Sequence, residues 1–287
     1  MPKVAITGTN GFIGNYLAKK FKASGWDVVA MQRSEIPPFE KATVIRYNIN
    51  EKFDENKLSQ TDLLIHCAWQ SYTKKNPDSD EINEQGTIAL QEVAHRIGAK
   101  FVFISTLSAH SESISHYGCS KFATEARLDC TKDLTLKIGL VIGHTGGFFS
   151  KIPPVLKKMK IIPLIENGQQ EVQILDIDDL FVVIMKSFEK NLCGIYNVAE
   201  TDSNKIIELY KIISNHLRVN PIFINVPYWL VYNVMQFAEK IIPLPVNTEN
   251  LKGLKQYRAF DTSTIQNELS IELISAKKAI EKIVYIE

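Results

Sequence analysis

Residues 3–14 read KVAITGTNGFIG. KVAIT has the apolar, β-branched composition of a buried strand. The residues that follow place Gly8, Gly11 and Gly14 in the spacing GxxGxxG and lead into an apolar pattern of helical period. Glycine at those positions permits a tight turn, close approach of a pyrophosphate to the backbone, and contact between helix and strand. The helix N-terminus adds partial positive charge. The unit is therefore read as a dinucleotide cradle lined by Gly8, Asn10, Gly11, Phe12, Ile13 and Gly14.

Beyond it, short apolar runs alternate with helical patterns. The runs are DVVAM (27–31), ATVIR (42–46), DLLIHCA (62–68), FVFIS (101–105) and LTLKI (134–138). The helical patterns cover 11–24, 83–97 and 117–131. Strands rich in Val, Ile and Leu joined by helices imply right-handed crossovers and a parallel sheet covered on both faces. The prediction is an α/β fold with a doubly wound parallel sheet. After Gly143 the rhythm loosens, through Gly146-Gly147, Pro153-Pro154 and a polar segment at 164–173. Helical patterns resume at 176–189, 204–217 and 227–240. The expected division is a Rossmann domain over 1–150 and a smaller lobe, mainly substrate-binding, over 151–287. That lobe partly returns to the main sheet at GIYNVA (194–199).

Thirty-three basic residues against thirty-two acidic ones leave a formal charge of +1, with no long block of like charge. This argues against a nucleic-acid partner and for a small molecule. Cys67, Cys119, Cys130 and Cys193 are widely spaced and form no CxxC, so neither a zinc site nor a disulfide framework is expected, and a cytoplasmic location fits. The chain enters a strand pattern at once, so no export signal is expected. Residues 226–243 are the most membrane-like, yet Asn233, Gln236, Glu239 and Lys240 interrupt them. No membrane span is expected there, and the stretch is read as an amphipathic helix packed on the protein.

SHYGCSK (115–121) sets Tyr117 and Lys121 four residues apart, on one face of a helix. A free tyrosine titrates near pH 10, too high for acid–base work at neutrality unless cations lie close by. A strand ending in Thr106 precedes the pair, and a glycine loop opens the chain. That company makes Tyr117 and Lys121 a candidate catalytic pair. The second strand ends in Gln32, Arg33 and Ser34, with no acid to take the ribose hydroxyls of NAD. Arg33 suits a 2′-phosphate instead, so NADP is the expected cofactor and NAD the alternative.

GTNGFIG, DLLIHCA, the helix containing Asn83, FVFIST and Y-G-C-S-K occur in the order found in the extended short-chain dehydrogenase/reductases. The chain resembles that NAD-dependent epimerase/dehydratase family, of sugar-nucleotide-modifying type. ILDIDDL (174–180), GIYNVA and RAFDTS (258–263) continue the likeness almost to the end. The resemblance implies that Tyr117 is the general acid/base and that Lys121 holds the nicotinamide ribose. It also implies that Thr106 hydrogen-bonds the reacting oxygen, with Ser105 and Ser108 as nearby substitutes. Asn48 and Ile49 would meet adenine, Cys67, Ala68 and Trp69 would line the cofactor, and Ser108 and Arg258 would face the substrate. A homodimer through the helices at 83–97 and 117–131 is implied as well.

The chain also departs from that pattern. Leu107 and Ser108 stand where sugar-nucleotide dehydratases carry an Asp-Glu pair, and Leu140 stands where 4-epimerases carry an Asn. His66, His95, His110 and His116 form no ligand spacing, so no metal is expected. Asp176, Asp178 and Asp179 read as helix capping. The resulting expectation is an NAD(P)-dependent reductase of a keto group on a sugar nucleotide or similar polar metabolite. The alternatives are a nucleotide-sugar 4-epimerase with tightly bound NAD and a non-catalytic dinucleotide-sensing regulator.

Overall fold

A computed structural model describes residues 1–40, 42–73, 76–143, 146–147, 149–239, 248–255 and 258–284. In chain order the strands are β1 (Lys3–Thr7), β2 (Asp27–Gln32), β3 (Thr43–Arg46), β4 (Leu63–His66), β5 (Lys100–Thr106), β6 (Leu134–Ile138) and β7 (Leu140–Ile142). They continue as β8 (Ile161–Ile165), β9 (Glu171–Val172), β10 (Ile174–Asp176), β11 (Gly194–Val198), β12 (Asn204–Lys205) and β13 (Ile222–Val226). The helices are α1 (Phe12–Ala23), α2 (Ser79–Ile97), α3 (His116–Glu125), α4 (Ile152–Lys158) and α5 (Ile177–Glu189). The later ones are α6 (Ile206–Leu217), α7 (Tyr228–Ala238), α8 (Thr248–Lys255), α9 (Ser263–Leu269) and α10 (Ala276–Val284).

Seven strands form the central sheet in the order β11-β6-β5-β4-β1-β2-β3. The pairs β1–β2, β1–β4, β2–β3 and β4–β5 are parallel, as the doubly wound reading requires. Val4, Ala5 and Ile6 in β1 and Leu63, Leu64 and Ile65 in β4 are fully buried. Burial on both faces is why these strands read as continuous apolar runs rather than as alternation. The chain moves outward from β1 to β3 at one edge, then restarts at β4 on the other side of β1. A crevice opens where the order reverses, beyond the carboxyl ends of β1 and β4.

The chain forms two compact units that interleave along the sequence. The first gathers 1–111, 119–137 and 180–196, and the second gathers 112–118, 138–179 and the described residues from Asn197 onward. The first unit closes around Ala5, Val29, Met31, Leu64, Phe101 and Phe103, and the second around Phe149, Ile152, Leu164, Ile174, Leu209 and Ile280.

Inside the second unit two buried polar groups organise the backbone. Gln173 donates to the Phe260 carbonyl at 3.0 Å and accepts the Phe260 amide at 2.8 Å. Glu200 accepts the amides of Ile174 (3.0 Å) and Ala276 (2.7 Å). Burial pushes the Glu200 carboxyl up to about 7, against the pull of those donors. At the start of α5, Asp176 accepts the Asp178 amide at 2.9 Å, a capping contact. The helix expected at 227–240 is present as α7, with Lys240 outside the described residues. Tyr228, Val231, Tyr232, Met235 and Ala238 form one half-buried stripe along it, while Trp229, Leu230, Val234 and Phe237 stay exposed. Its sequence YWLVYNVMQFA sets apolar groups nearly all round the helix, so docking one stripe leaves others in water.

Candidate active site

Gly8 follows β1 with φ +73, a conformation that favours glycine, and its amide donates to the Met31 carbonyl at 2.9 Å. The turn closes with the Gly11 amide on the Gly8 carbonyl at 2.8 Å. A Cβ on Gly8 would lie 2.9 Å from the Ala68 nitrogen, and one on Gly14 only 2.4 Å from the Gly8 oxygen. The loop is thus pressed against both the β4 strand end and α1. Gly11 gives α1 no side-chain cap, and the first turn, which holds Phe12 and Ile13, carries no acid. A closely approachable glycine backbone at an uncapped helix start fits a pyrophosphate.

At the end of β2, the Gln32 side chain is turned inward and spent. It accepts the Thr9 hydroxyl at 2.6 Å and donates to the Ser34 carbonyl at 2.9 Å and to the Ile36 carbonyl. Arg33 is exposed beside it, and the Ser34 amide reaches the Asn10 side chain at 3.4 Å. After β3, Asn48 donates to Glu51, while Ile49 is buried against α2. A Cβ on Gly86 would meet Ile49 Cγ2 at 2.4 Å, so a glycine inside α2 permits the helix to pass this close.

The β4 end is held by a directed chain of buried hydrogen bonds. The Thr7 hydroxyl accepts the amides of Cys67 (3.1 Å) and Ala68 (3.0 Å), so its single proton goes to His66 Nδ1 at 2.7 Å. The imidazole therefore carries its proton on Nε2, which donates to Thr87 Oγ1 at 3.1 Å. Thr87 in turn donates to the Asn83 carbonyl at 2.6 Å. Burial, reinforced by the Lys121 charge, pushes His66 down to about 3, so it stays neutral. Asn83 brackets Gln70 with two bonds, accepting its amide (2.9 Å) and donating to its carbonyl (2.8 Å). Thr7, His66 and Thr87 were not singled out as a group by sequence reasoning, and their partnership spans 59 and 21 residues.

α3 carries Tyr117 in its first turn, 44% exposed, and Lys121 one turn later, 2% exposed. The Lys121 ammonium donates to the Ile104 carbonyl at 2.7 Å and lies 3.9 Å from the Trp69 ring centre and 4.3 Å from that of Phe103. Burial lowers Lys121 to about 7, while the Glu125 carboxylate pulls the other way. The Cys67 thiol is pushed up to about 12 by burial, so it stays protonated and offers the lysine no counter-charge.

One further turn along α3, buried Glu125 accepts the Ser105 hydroxyl and pairs with Lys137 at 3.0 Å. Lys137 also donates to the Ala109 carbonyl. This pair, which the sequence marked only as an acid at i+4 from Lys121, ties β5, the loop after it and α3 together. With its proton on Glu125, Ser105 has none left for a ligand. Thr106 Oγ1 instead accepts the Ser108 amide at 3.2 Å, and its proton is directed elsewhere. Arg258, in the second unit, is exposed and pairs with Glu112 at 2.9 Å.

The model of the NAD dependent epimerase/dehydratase family matches residues 4–199. The chain belongs to that family. A UDP-N-acetylglucosamine 4-epimerase from Bacillus cereus superposes on it with a TM-score of 0.77 at 17% identity, over 100% of this chain and 99% of that one. At this identity the likeness to that family member is one of fold. A ceramide reductase from Caulobacter vibrioides is 30% identical over 127 residues, 42% of this chain and 40% of the relative. A mitochondrial subunit 9 of the NADH dehydrogenase 1 alpha subcomplex from Dictyostelium discoideum is 26% identical over 64% of this chain and 54% of that protein. A UDP-2-acetamido-2,6-beta-L-arabino-hexul-4-ose reductase from Pseudomonas aeruginosa is 25% identical over 66% of this chain and 50% of its own length. The chain thus spans about half the length of these curated relatives or less. Their names differ so widely that the choice among family activities falls to the side chains themselves.

Proposed function

We propose that the chain is an NAD(P)-dependent oxidoreductase that reduces a keto group on a sugar nucleotide or similar polar metabolite. The observation that carries this reading is the buried ammonium of Lys121 one turn after the exposed phenol of Tyr117. Burying an ammonium costs stability, and a helix built only for packing would place an apolar side chain there. A non-catalytic regulator has no use for that cost.

When bound, the nicotinamide supplies the hydride. The cradle of Gly8, Gly11 and Gly14 would hold the pyrophosphate, with Asn48 and Ile49 toward the adenine. Cys67, Ala68 and Trp69 would line the nicotinamide side. Thr106, its hydroxyl oriented by the Ser108 amide, donates to the substrate oxygen as negative charge develops there. Tyr117 gives that oxygen its proton, and the Lys121 charge favours the phenolate left behind. The strand end after β2 offers exposed Arg33, while Gln32 is occupied internally, so NADP is the preferred cofactor.

Two calorimetric titrations on the native chain and on Arg33→Ala test the cofactor choice. A charge-assisted contact to the 2′-phosphate is worth about 1.5–3 kcal/mol, so the variant should lose roughly ten- to a hundredfold in NADPH affinity and almost nothing for NADH. Equal affinities in the native chain would remove the NADP assignment. NADPH consumption over a panel of keto-sugar nucleotides tests the reaction. A tightly held, non-exchanging NAD released only on denaturation would favour the 4-epimerase instead.

A further inference from the structure

The second unit exposes apolar side chains and concentrates positive charge in the same place. β8 and β13 pair in parallel with Ile222 opposite Ile161 and Ile224 opposite Pro163. Alternation buries Ile162 and Leu164 on the inner face and leaves Ile161 (48%), Ile222 (63%) and Ile224 (44%) exposed on the outer one. Val155, midway along α4, and Met159, just beyond it, are also exposed, beside exposed Lys157, Lys158 and Lys160. The Ile222 amide donates to the Lys160 carbonyl at 2.8 Å, which brings the lysine run to the start of β13. Exposed Arg218 lies four residues before that point.

The charge on these segments is one-sided in a chain whose formal charge is +1. Residues 151–165 hold Lys151, Lys157, Lys158 and Lys160 with no Asp or Glu, and residues 209–238 hold Lys211 and Arg218 with none. Sequence order keeps the two runs far apart, and the β8–β13 pairing joins them. α7, which the chain enters from β13 through Pro227, adds Trp229, Val234 and Phe237 at 59–66% exposure without a charged residue.

We infer that the outer face of the β8–β13 ribbon, with the lysines at the end of α4, docks on an anionic lipid bilayer surface. The two halves of the patch match the two layers of such a surface, because isoleucines enter the acyl boundary while lysines meet anionic headgroups. A second copy of the chain fits less well, since a two-fold contact through this face would set lysines against lysines. An acidic peptide would satisfy the lysines and leave the isoleucines in water. Attachment is peripheral, because no helix among the described residues is long and apolar enough to cross a membrane.

The test is sedimentation of the full chain with vesicles of phosphatidylcholine alone or mixed with phosphatidylglycerol, at low and high salt. Binding should require the anionic lipid and weaken with salt. Neutralising the run in a Lys157→Gln, Lys158→Gln, Lys160→Gln variant should lower partitioning roughly a hundredfold. An Ile222→Ser, Ile224→Ser variant should lower it as well, with circular dichroism and dinucleotide affinity unchanged in both. The inference fails if the native chain ignores anionic vesicles or binds neutral ones equally. It also fails if the isoleucine variant binds as the native chain does, or if soluble polyglutamate is bound equally by native and isoleucine-variant chains, which would indicate an acidic partner.

Discussion

The ends of β1 and β4 and the outer face of the β8–β13 ribbon are built on opposite rules. At the first, Thr7, Gln32, His66, Asn83 and Thr87 are buried polar groups, each with named partners; Thr7, Gln32 and Asn83 restrain loops, and His66 with Thr87 joins β1 and β4 to α2. At the second, isoleucines stand in water and restrain nothing. A satisfied buried network fixes atoms, as chemistry at a reacting carbonyl demands. An exposed apolar face fixes nothing until something covers it. The contrast concerns these surfaces and not whole units, since Gln173 and Glu200 organise the interior of the second unit as tightly as His66 does the first.

The largest effect that would sharpen this contrast is on turnover. Tyr117→Phe removes the proton donor alone and should lower the rate by roughly 10²–10⁴-fold, with dinucleotide affinity preserved in a fluorescence titration. A variant of normal rate would remove Tyr117 from the mechanism. Next, Gly14→Val drives carbon into the Gly8 carbonyl and should cost about 3 kcal/mol by overpacking. That corresponds to a Tm lower by ~6–12 °C, and dinucleotide affinity should fall with it. An unchanged affinity would make the loop a structural turn only.

Lys121 offers a change of the opposite sign. Its folded value, about 7, lies below its ordinary value of 10.5, so between those limits the unfolded chain binds more protons and stability rises with pH. Below that window both states carry the charge, and its burial weighs fully against the fold. Lys121→Met should therefore raise Tm most at or below neutrality and progressively less toward pH 10, while abolishing turnover. A gain that ignores pH would mean that the ammonium is not desolvated. The smallest effect belongs to the ribbon: Ile222→Thr and Ile224→Thr should each change stability by no more than about 0.5 kcal/mol. Ile65→Thr, fully buried in β4, should cost about 2–4 kcal/mol in the same melts through lost burial and an unpartnered hydroxyl. Similar losses at all three positions would erase the distinction between the two regions.

The central sheet was legible because strands covered on both faces leave unbroken apolar runs, and the glycine loop because three glycines follow the first run. The His66 relay was not legible. A buried neutral imidazole and a surface one share a letter, and what separates them here is contact with Thr7, which the parallel register supplies, and with Thr87, which the packing of α2 supplies. Gly86 and Glu125 left faint signs, a glycine inside a helix and an acid one turn past Lys121, whose meaning depends on what packs above them. The ribbon was not legible either: isoleucines in a short alternating run count as core by composition, and only the folded arrangement shows which face lacks a neighbour.

The interleaving of the two units bears on how the chain is made. β6 ends at Ile138, yet its outer neighbour β11 does not begin until Gly194 and ends at Val198. A ribosome must add about sixty residues between them, roughly 3–12 s at ordinary elongation rates. Through that interval the nascent sheet presents β6 as a bare edge able to pair with another chain. A pause in translation within 139–193, or a truncation there, would prolong that exposure, so fragments ending in this interval should aggregate where chains extending past Val198 do not.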